Sequence, residues 1–255
     1  MDKLLFLGTG AADWNINEKK EGFRRFSAAM LNDDLMIDCG PHIFDFAVDF
    51  GNSDMYNGIT DIVITHSHGD HFCKDSVLKL AENKKIRLGC TEYVENAVGE
   101  HENIEFIRLS AFEKTVVGGY TVMPLLANHD MIQSKDNAAF HYIIETADGK
   151  KLFYGLDGAW FLRPSWEIMR KHKFDVMVFD CTVGDREDFR LCEHNTIPML
   201  RMMISEIKKQ GLINENGKLL ASHLARTLHD TPENTERILG EIGMLCAIDG
   251  MRIEF

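Results

Sequence analysis

The chain lacks the features that would place it in a membrane or direct it to secretion. Its 255 residues contain no apolar run close to the roughly 20 residues needed to cross a bilayer. The first residues enter a strand-like apolar run, without the charged lead, long apolar core and cleavage site of a signal peptide. We therefore expect a cytoplasmic protein with no membrane partner.

Disulfide and linker signals are also missing. The six cysteines are scattered and show no Cys-x-x-Cys spacing, which argues against a disulfide framework and against a zinc-thiolate module. No Pro- or Ser-rich linker divides the chain. Its length fits one large α/β domain or two small ones, and we predict a single domain over 1–255.

Positive charge is in deficit. The chain has 28 Lys and Arg against 40 Asp and Glu, a net charge of −12. A nucleic-acid binder normally has a basic surface, because neutralising phosphates drives its affinity. Binding to nucleic acid is therefore disfavoured, and a small substrate held by a few cations is easier to reconcile with this balance.

Metal-binding side chains, by contrast, are concentrated in one short segment. Residues 65–71 read THSHGDH and directly follow an apolar run. The alternating His66 and His68 can converge on one ion, whereas the adjacent Asp70 and His71 turn toward a second. The segment therefore predicts half of a two-metal site on a strand-to-helix loop.

Three later ligand residues, His129, Asp157 and His223, each follow an apolar strand-like run. A single histidine after a strand is more often structural, and an aspartate before glycine is usually a turn residue. Together with the first segment, however, they complete the ligand count of a two-metal site. The predicted ligands are His66, His68 and His129 for one ion, Asp70, His71 and His223 for the other, and Asp157 as the bridge.

Short strands alternate with helices in two batches, which suggests two similar halves with mixed sheets covered by helices. Thr196 is predicted to cap a Met-rich helix that has Pro198 in its first turn and runs to about Gln210. The predicted strands lie near 4–7, 28–31, 35–37, 61–65, 86–89, 104–109, 120–126, 140–145, 151–154, 175–179, 218–221 and 251–255. The predicted helices lie at 75–82, from about 92, from 197 to about 210, and from 231.

These motifs, in this order, resemble those of the metallo-β-lactamase-fold hydrolases over nearly the whole chain. Asp38 in Ile37-Asp38-Cys39-Gly40 resembles the family's first motif, a buried acid that supports the metal loop. Residues 66–71 resemble the second motif, and His129, Asp157 and His223 resemble the third to fifth. The resemblance implies an α/β, four-layer αβ/βα sandwich of two pseudo-repeated halves with a dinuclear site at one edge. His and Asp ligands accept Zn²⁺ or Mn²⁺, and Fe²⁺ is compatible.

Other segments resemble the phosphodiesterase branch of that family, which includes tRNase Z and the cyclic-phosphate phosphodiesterases of phosphonate breakdown. They are Gly8-Thr9-Gly10, Arg24-Arg25-Phe26-Ser27 and His223-Leu224-Ala225-Arg226. His194, in Glu193-His194-Asn195-Thr196, is similar to the branch's extra histidine over the metals, although a helix-capping surface residue would look the same. Two departures stand out. His129 and Asp157 are only 28 positions apart, which leaves no room for a tRNA-gripping arm, and a Cys-rich extra zinc site is missing.

We therefore expect a dinuclear hydrolase that cleaves a small or cyclic phosphodiester with a hydroxide bridging the metals. Asp157 and Asp70 would orient the hydroxide, and His194 would be the general acid or a phosphate-oxygen donor. The candidate phosphate clamps, each of which could equally be a surface charge or a structural ion pair, are Arg24, Arg25 and Arg226.

Several alternatives stay open at this stage. A tRNase Z-like ribonuclease, or a thioester or lactone hydrolase of the same fold, would use the same metals. A di-iron oxidoreductase is less favoured, because that class resembles this pattern with Glu at the position of His68. A nucleic-acid-binding regulator is disfavoured by the net charge of −12. The expected partner is a small-molecule phosphodiester, and the chain could form a homodimer.

Overall fold

Two mixed β-sheets form the centre of the protein. The computed structural model describes residues 1–20, 22–129 and 138–255. Over these residues the strands are β1 (Lys3–Gly8), β2 (Ala28–Leu31), β3 (Leu35–Ile37), β4 (Asp61–Val63), β5 (Ile86–Cys90), β6 (Ile104–Arg108), β7 (Thr115–Val117), β8 (Tyr120–Leu126), β9 (Phe140–Glu145), β10 (Lys151–Gly155), β11 (Phe174–Asp180), β12 (Ile213–Ser222), β13 (Leu245–Cys246) and β14 (Arg252–Glu254). The α-helices are α1 (Ile43–Asp49), α2 (Lys74–Ala81), α3 (Glu92–Val98), α4 (Arg163–Met169), α5 (Ile197–Lys209) and α6 (Pro232–Glu241).

The two sheets share one plan. The first has the order β14-β1-β2-β3-β4-β5-β6 and the second β13-β12-β11-β10-β9-β8-β7. In each sheet, antiparallel pairing at one end changes to parallel pairing, from β3 to β6 in the first and from β10 to β13 in the second. The carboxyl ends of parallel strands meet at one edge of a sheet, which is where such sheets bind ligands.

Helices cover the outer face of each sheet. Successive residues of a strand face opposite sides, so Leu4 and Phe6 of β1 pack between the sheets while Leu5 and Leu7 pack outward. Helices α1 to α3 contribute to the outer cluster on the first sheet, and α4 to α6 to the one on the second. The inner cluster combines side chains of both sheets. The predicted αβ/βα sandwich is confirmed.

Helix boundaries follow the sequence where it carries a start signal. Thr196 caps α5, and its hydroxyl oxygen accepts a hydrogen bond from the Met199 amide at 3.2 Å. Helices α1 and α4, in contrast, were not predicted. Each has only seven residues and begins without a side-chain cap hydrogen bond, although α4 has a proline in its first turn. Among the described residues, no helix has the length and apolar composition that crossing a membrane requires.

Candidate metal centre

The seven predicted ligands meet at the edge where the two sheets present their strand ends. The segment 66–71 follows β4, His129 follows β8, Asp157 follows β10, and His223 follows β12. All of them except His68 are buried. The structure therefore brings together residues from four strands that lie far apart in the sequence.

His66, His68, His129 and Asp157 form a first group, whose ligand atoms lie within 4.8 Å of one another. Nε2 of His129 lies 3.1 Å from Nδ1 of His68. Oδ2 of Asp157 lies 3.4 Å from Nε2 of His66 and 3.5 Å from Nε2 of His129. Donor atoms at these separations suit one ion with bonds of about 2 Å.

Asp70, His71, His223 and Asp157 form a second group of the same size. Nε2 of His223 lies 3.2 Å from Nε2 of His71 and 3.3 Å from Oδ2 of Asp70. Here the other oxygen of Asp157, Oδ1, lies 2.8 Å from His223 and 3.3 Å from His71. Because its two oxygens face different groups, Asp157 has the position of a bridging carboxylate.

Two buried polar atoms of these groups lack a hydrogen bond of good geometry in the described part of the chain, although Oδ1 of Asp157 lies 2.8 Å from Nε2 of His223. They are Nε2 of His66 and Oδ1 of Asp157. A buried polar atom without a partner is costly, so native proteins rarely keep one. A divalent cation in each group would supply the missing interaction, and His and Asp donors are those that Zn²⁺, Mn²⁺ and Fe²⁺ accept. The residues present therefore fit a pair of metal ions.

The two groups differ in electrostatics. In the first, burial dominates and lowers the pKa of His129 to about 3 and that of His66 below its usual value. Neutral imidazole is the form that binds metal. In the second, burial is the largest single effect and lowers the pKa of His223, but the Asp157 and Asp70 carboxylates together outweigh it and raise that pKa to about 10. Metal binding there must displace a proton, so it weakens as the pH falls.

A buried carboxylate supports the first sheet's ligands. Oδ2 of Asp38 lies 2.7 Å from Nδ1 of His71. Its Oδ1 accepts hydrogen bonds from the amide and hydroxyl of Thr65, at 2.8 and 2.9 Å. That hydroxyl lies 3.0 Å from Nδ1 of His66. Asp38 adopts a left-handed backbone (φ 64°), a conformation that non-glycine residues rarely keep away from functional sites.

The second sheet has a support of the same kind that sequence reasoning missed. Oδ2 of Asp180, the last residue of β11, lies 2.7 Å from Nδ1 of His194. The Thr182 hydroxyl lies 3.1 Å from the same oxygen and 2.7 Å from Nδ1 of His223. The available signal was an apolar strand ending in aspartate, which is also the form of Ile37-Asp38.

His194 lies over the ligands and not on the open surface. Its ring centroid is 4.9 Å from that of His129 and 5.6 Å from that of His223, and its side chain is 12% exposed. Burial tends to lower the pKa of His194, but the Asp180 carboxylate outweighs this effect and the pKa is raised. Capping of α5 falls to Thr196 instead.

The three arginines predicted to clamp phosphate lie elsewhere. Arg25 is buried and forms ion pairs with Asp49 and Asp249, so its charge is already used within the fold. Arg24 donates to the carbonyl oxygen of Ala247 and is only 8% exposed. Arg226 is exposed and donates to the backbone of Asp13. None of the three lines the cleft above the ligands, so we correct their assignment.

A different arginine lines that cleft, whose volume is about 380 Å³. Arg190 lies on a short 3-10 helix, Phe189–Cys192, which ends two residues before His194. Its Nε donates to Oδ1 of Asp188 at 2.7 Å. Phe189 lines the same cleft and is 79% exposed. No sequence motif marked this segment.

The sequence itself matches a known family. The family model described as the beta-lactamase superfamily domain matches residues 34–232, a span that includes all seven candidate ligands. The chain belongs to this family. No curated protein matches the sequence.

Solved structures agree with this membership. The metallo-beta-lactamase fold protein YhfI from Bacillus subtilis is 14% identical, with a TM-score of 0.75 and complete coverage of both chains. A diphosphatase of the PhnP family is 18% identical, with a TM-score of 0.72 over 100% of this chain and 98% of that one. Human tRNase Z, short form, is 17% identical, with a TM-score of 0.66 over 100% and 99%. These likenesses confirm the metallo-β-lactamase fold.

Proposed function

We propose that the protein is a metal-dependent phosphodiesterase acting on a small or cyclic phosphodiester. The observation that carries the proposal is His194, a histidine held by a buried carboxylate beside two groups of metal ligands. Such a group can protonate a leaving oxygen, the step that phosphodiester cleavage needs besides a nucleophile. Solved structures of this fold include a diphosphatase of the PhnP family, a human tRNase Z and yeast PDE1, and the names of the first two refer to cleavage at phosphate.

We infer that two divalent ions bind, one in each ligand group. When bound, such ions lower the pKa of a coordinated water and offset charge on phosphate oxygens. Asp157, with one oxygen facing each group, fixes the spacing of the two sites. Asp38 and Thr182 hold the ligand histidines by their Nδ1 atoms, which leaves Nε2 of His71 and of His223 for the metals.

The remaining residues in the cleft have separate roles in the proposed reaction. Asp70 lines the cleft at the edge of the second group, where it can orient the attacking water. His194 uses Nδ1 for its hydrogen bond to Asp180, so Nε2 is the atom that can donate a proton. The raised pKa of His194 favours the protonated form that a general acid requires. Arg190 replaces the three predicted arginines as the candidate phosphate clamp.

The size and charge of the molecule favour a small substrate. A cleft of about 380 Å³ suits a small molecule, and a net charge of −12 disfavours a tRNA. The three histidines of the first group disfavour a di-iron oxidoreductase, a class that resembles this pattern with Glu at the position of His68. A thioester or lactone hydrolase would use the same metal ligands, and a comparison of substrates distinguishes this alternative.

One substrate comparison tests the proposal. The metal-loaded protein is assayed with bis(p-nitrophenyl) phosphate, a glutathione thioester and a lactone, each with and without a chelator. We expect chelator-sensitive cleavage of the diester at the highest kcat/KM of the three. A higher kcat/KM for the thioester or the lactone would overturn the phosphodiesterase proposal. Elemental analysis of the same preparation identifies the metals and their number per chain.

A further inference from the structure

One rim of the cleft is unusually apolar. The 3-10 helix Phe189–Cys192 exposes 79% of Phe189 and 50% of Leu191. Large apolar side chains exposed in a cluster often mark a binding surface. Phe189 also lines the cleft above the metal ligands, so its ring is available to a molecule that enters there.

A second aromatic residue lies on a loop bonded to this rim. Nδ2 of Asn128 donates to the carbonyl oxygens of Ala159 and Cys192, at 3.0 and 3.2 Å, and so joins the two segments. Trp160, next to Ala159, is 39% exposed and has a left-handed backbone (φ 56°). A bulky residue rarely adopts that conformation without a reason in the surrounding structure.

The rim is fixed relative to the reacting groups. The Asp188 carboxylate accepts hydrogen bonds from the amide, Nε and Nη2 of Arg190, which holds the guanidinium in place. The His194 amide donates to the Arg190 carbonyl oxygen at 2.8 Å. A ligand bound to Arg190 and Phe189 is therefore held beside His194.

Arg190 and Phe189 also form a pair that suits an aromatic anion. The guanidinium carbon of Arg190 lies 5.6 Å from the centre of the Phe189 ring. The other charged residues of the cleft lining, outside the metal ligands and His194, are the acidic Asp13 and Glu193. Asp188 binds Nε and Nη2 of Arg190, so among the described residues Nη1 is the guanidinium nitrogen left to bind an anionic oxygen, next to an exposed ring.

We propose that Phe189, Trp160 and Arg190 form a recognition lip for phosphodiesters whose non-leaving substituent is a planar aromatic group. The ring of that substituent packs on Phe189, with Trp160 at the outer edge, while Arg190 binds a non-bridging phosphate oxygen. The inference rests on the proposed function, since it names the substrate class of the same cleft. An aromatic pair of this kind changes affinity by about tenfold.

Two diesters with the same leaving group test the lip. Bis(p-nitrophenyl) phosphate and methyl p-nitrophenyl phosphate differ only in the non-leaving substituent, so the ratio of their kcat/KM values reports its recognition. We expect Phe189→Ala to lower the ratio of kcat/KM for the aryl diester to that for the methyl diester by about tenfold. Phe189→Tyr should keep the ratio of the unmodified protein. Tyr93→Ala is the control, because Tyr93 is 47% exposed and lies on α3 outside the cleft lining. An unchanged ratio in Phe189→Ala overturns the proposal.

A binding measurement separates failure of the lip from failure of the proposed function. Calorimetry with the metal-loaded protein compares phenyl phosphate with methyl phosphate. Phe189→Ala should weaken phenyl phosphate about tenfold more than methyl phosphate, and Arg190→Gln should weaken both alike. If no diester is cleaved but this difference persists, the lip stands and the phosphodiesterase proposal falls. If Phe189→Ala instead converts a dimer to a monomer with unchanged selectivity, the rim is a subunit interface and the lip is wrong.

Discussion

Each sheet has a buried aspartate at the carboxyl end of a strand, and the surroundings of the two carboxylates are closely alike. Asp38 follows β3 in the first sheet, and Asp180 ends β11 in the second. Each lies within hydrogen-bond distance of a threonine hydroxyl, at 2.9 Å for Thr65 and 3.1 Å for Thr182. Each hydroxyl in turn reaches Nδ1 of a candidate ligand histidine. In both sheets the buried carboxylate thus contacts a threonine whose hydroxyl contacts a candidate metal-ligand histidine.

The two carboxylates differ in the histidine that each contacts directly. Asp38 holds His71, which has no exposed surface and belongs to the second ligand group. Asp180 holds His194 at the same distance of 2.7 Å, but His194 lines the cleft and its side chain is 12% exposed. The comparison indicates that one arrangement serves two purposes. In the first sheet it positions candidate metal ligands only, whereas in the second it also holds His194, the proton donor that we propose.

Removal of the residue common to both ligand groups should have the largest effect. We expect Asp157→Ala to bind fewer than two ions per chain, because both groups lose an oxygen donor. Turnover of bis(p-nitrophenyl) phosphate should fall by more than about a thousandfold, since metals supply several kcal/mol of transition-state stabilisation. Elemental analysis and initial rates measure both. A variant that still holds two ions per chain would show that Asp157 is not the bridge.

Removal of His194 should separate chemistry from metal binding. His194→Ala should keep both ions yet lose activity by about a hundredfold or more, the usual contribution of a general acid. His101→Ala is a matched control, because His101 does not line the cleft. Undiminished turnover in His194→Ala would refute the assigned role.

A smaller effect is expected on the pH profile when Asp180 loses its charge. The carboxylate of Asp180 raises the pKa of His194, so in Asp180→Asn that pKa should fall. If protonated His194 is the active form, activity is lost as the pH rises through this pKa. The alkaline limb of kcat should therefore move to lower pH by about one unit. If the alkaline limb of the kcat profile does not move, Asp180 does not set the pKa of the group that controls the reaction.

The smallest effect is expected at Arg226. Its side chain is exposed and does not line the cleft, and its Nε donates to the backbone carbonyl oxygen of Asp13. Arg226→Ala should change kcat/KM for bis(p-nitrophenyl) phosphate by less than about threefold, as surface substitutions usually do. A larger loss, with unchanged thermal unfolding, would restore Arg226 as a substrate contact.

Sequence reasoning found the seven candidate ligands that meet in the structure because their signal is local. They lie in one segment, 66–71, or singly after an apolar strand, and the fold brings these strand ends together at one edge. The supports depend on contacts that sequence order hides, such as Thr182 with His223, 41 positions away. The predicted phosphate-binding arginines show the same difficulty, because the sequence gives the charge of a side chain but not the residues that it contacts. Arg25 points to Asp249, 224 positions away, and not to the cleft.

The central claim is that Asp38 serves metal binding alone and Asp180 also serves the reaction. Parallel metal titrations of Asp38→Asn and Asp180→Asn test it most directly, since both side chains are fully buried and thermal unfolding can verify the fold of each variant. The account predicts that Asp38→Asn weakens metal affinity by about 10- to 100-fold. Asp180→Asn should weaken it much less and yet lower kcat when saturated with metal. Equal losses of metal affinity, with equal kcat once both variants are saturated, would contradict it.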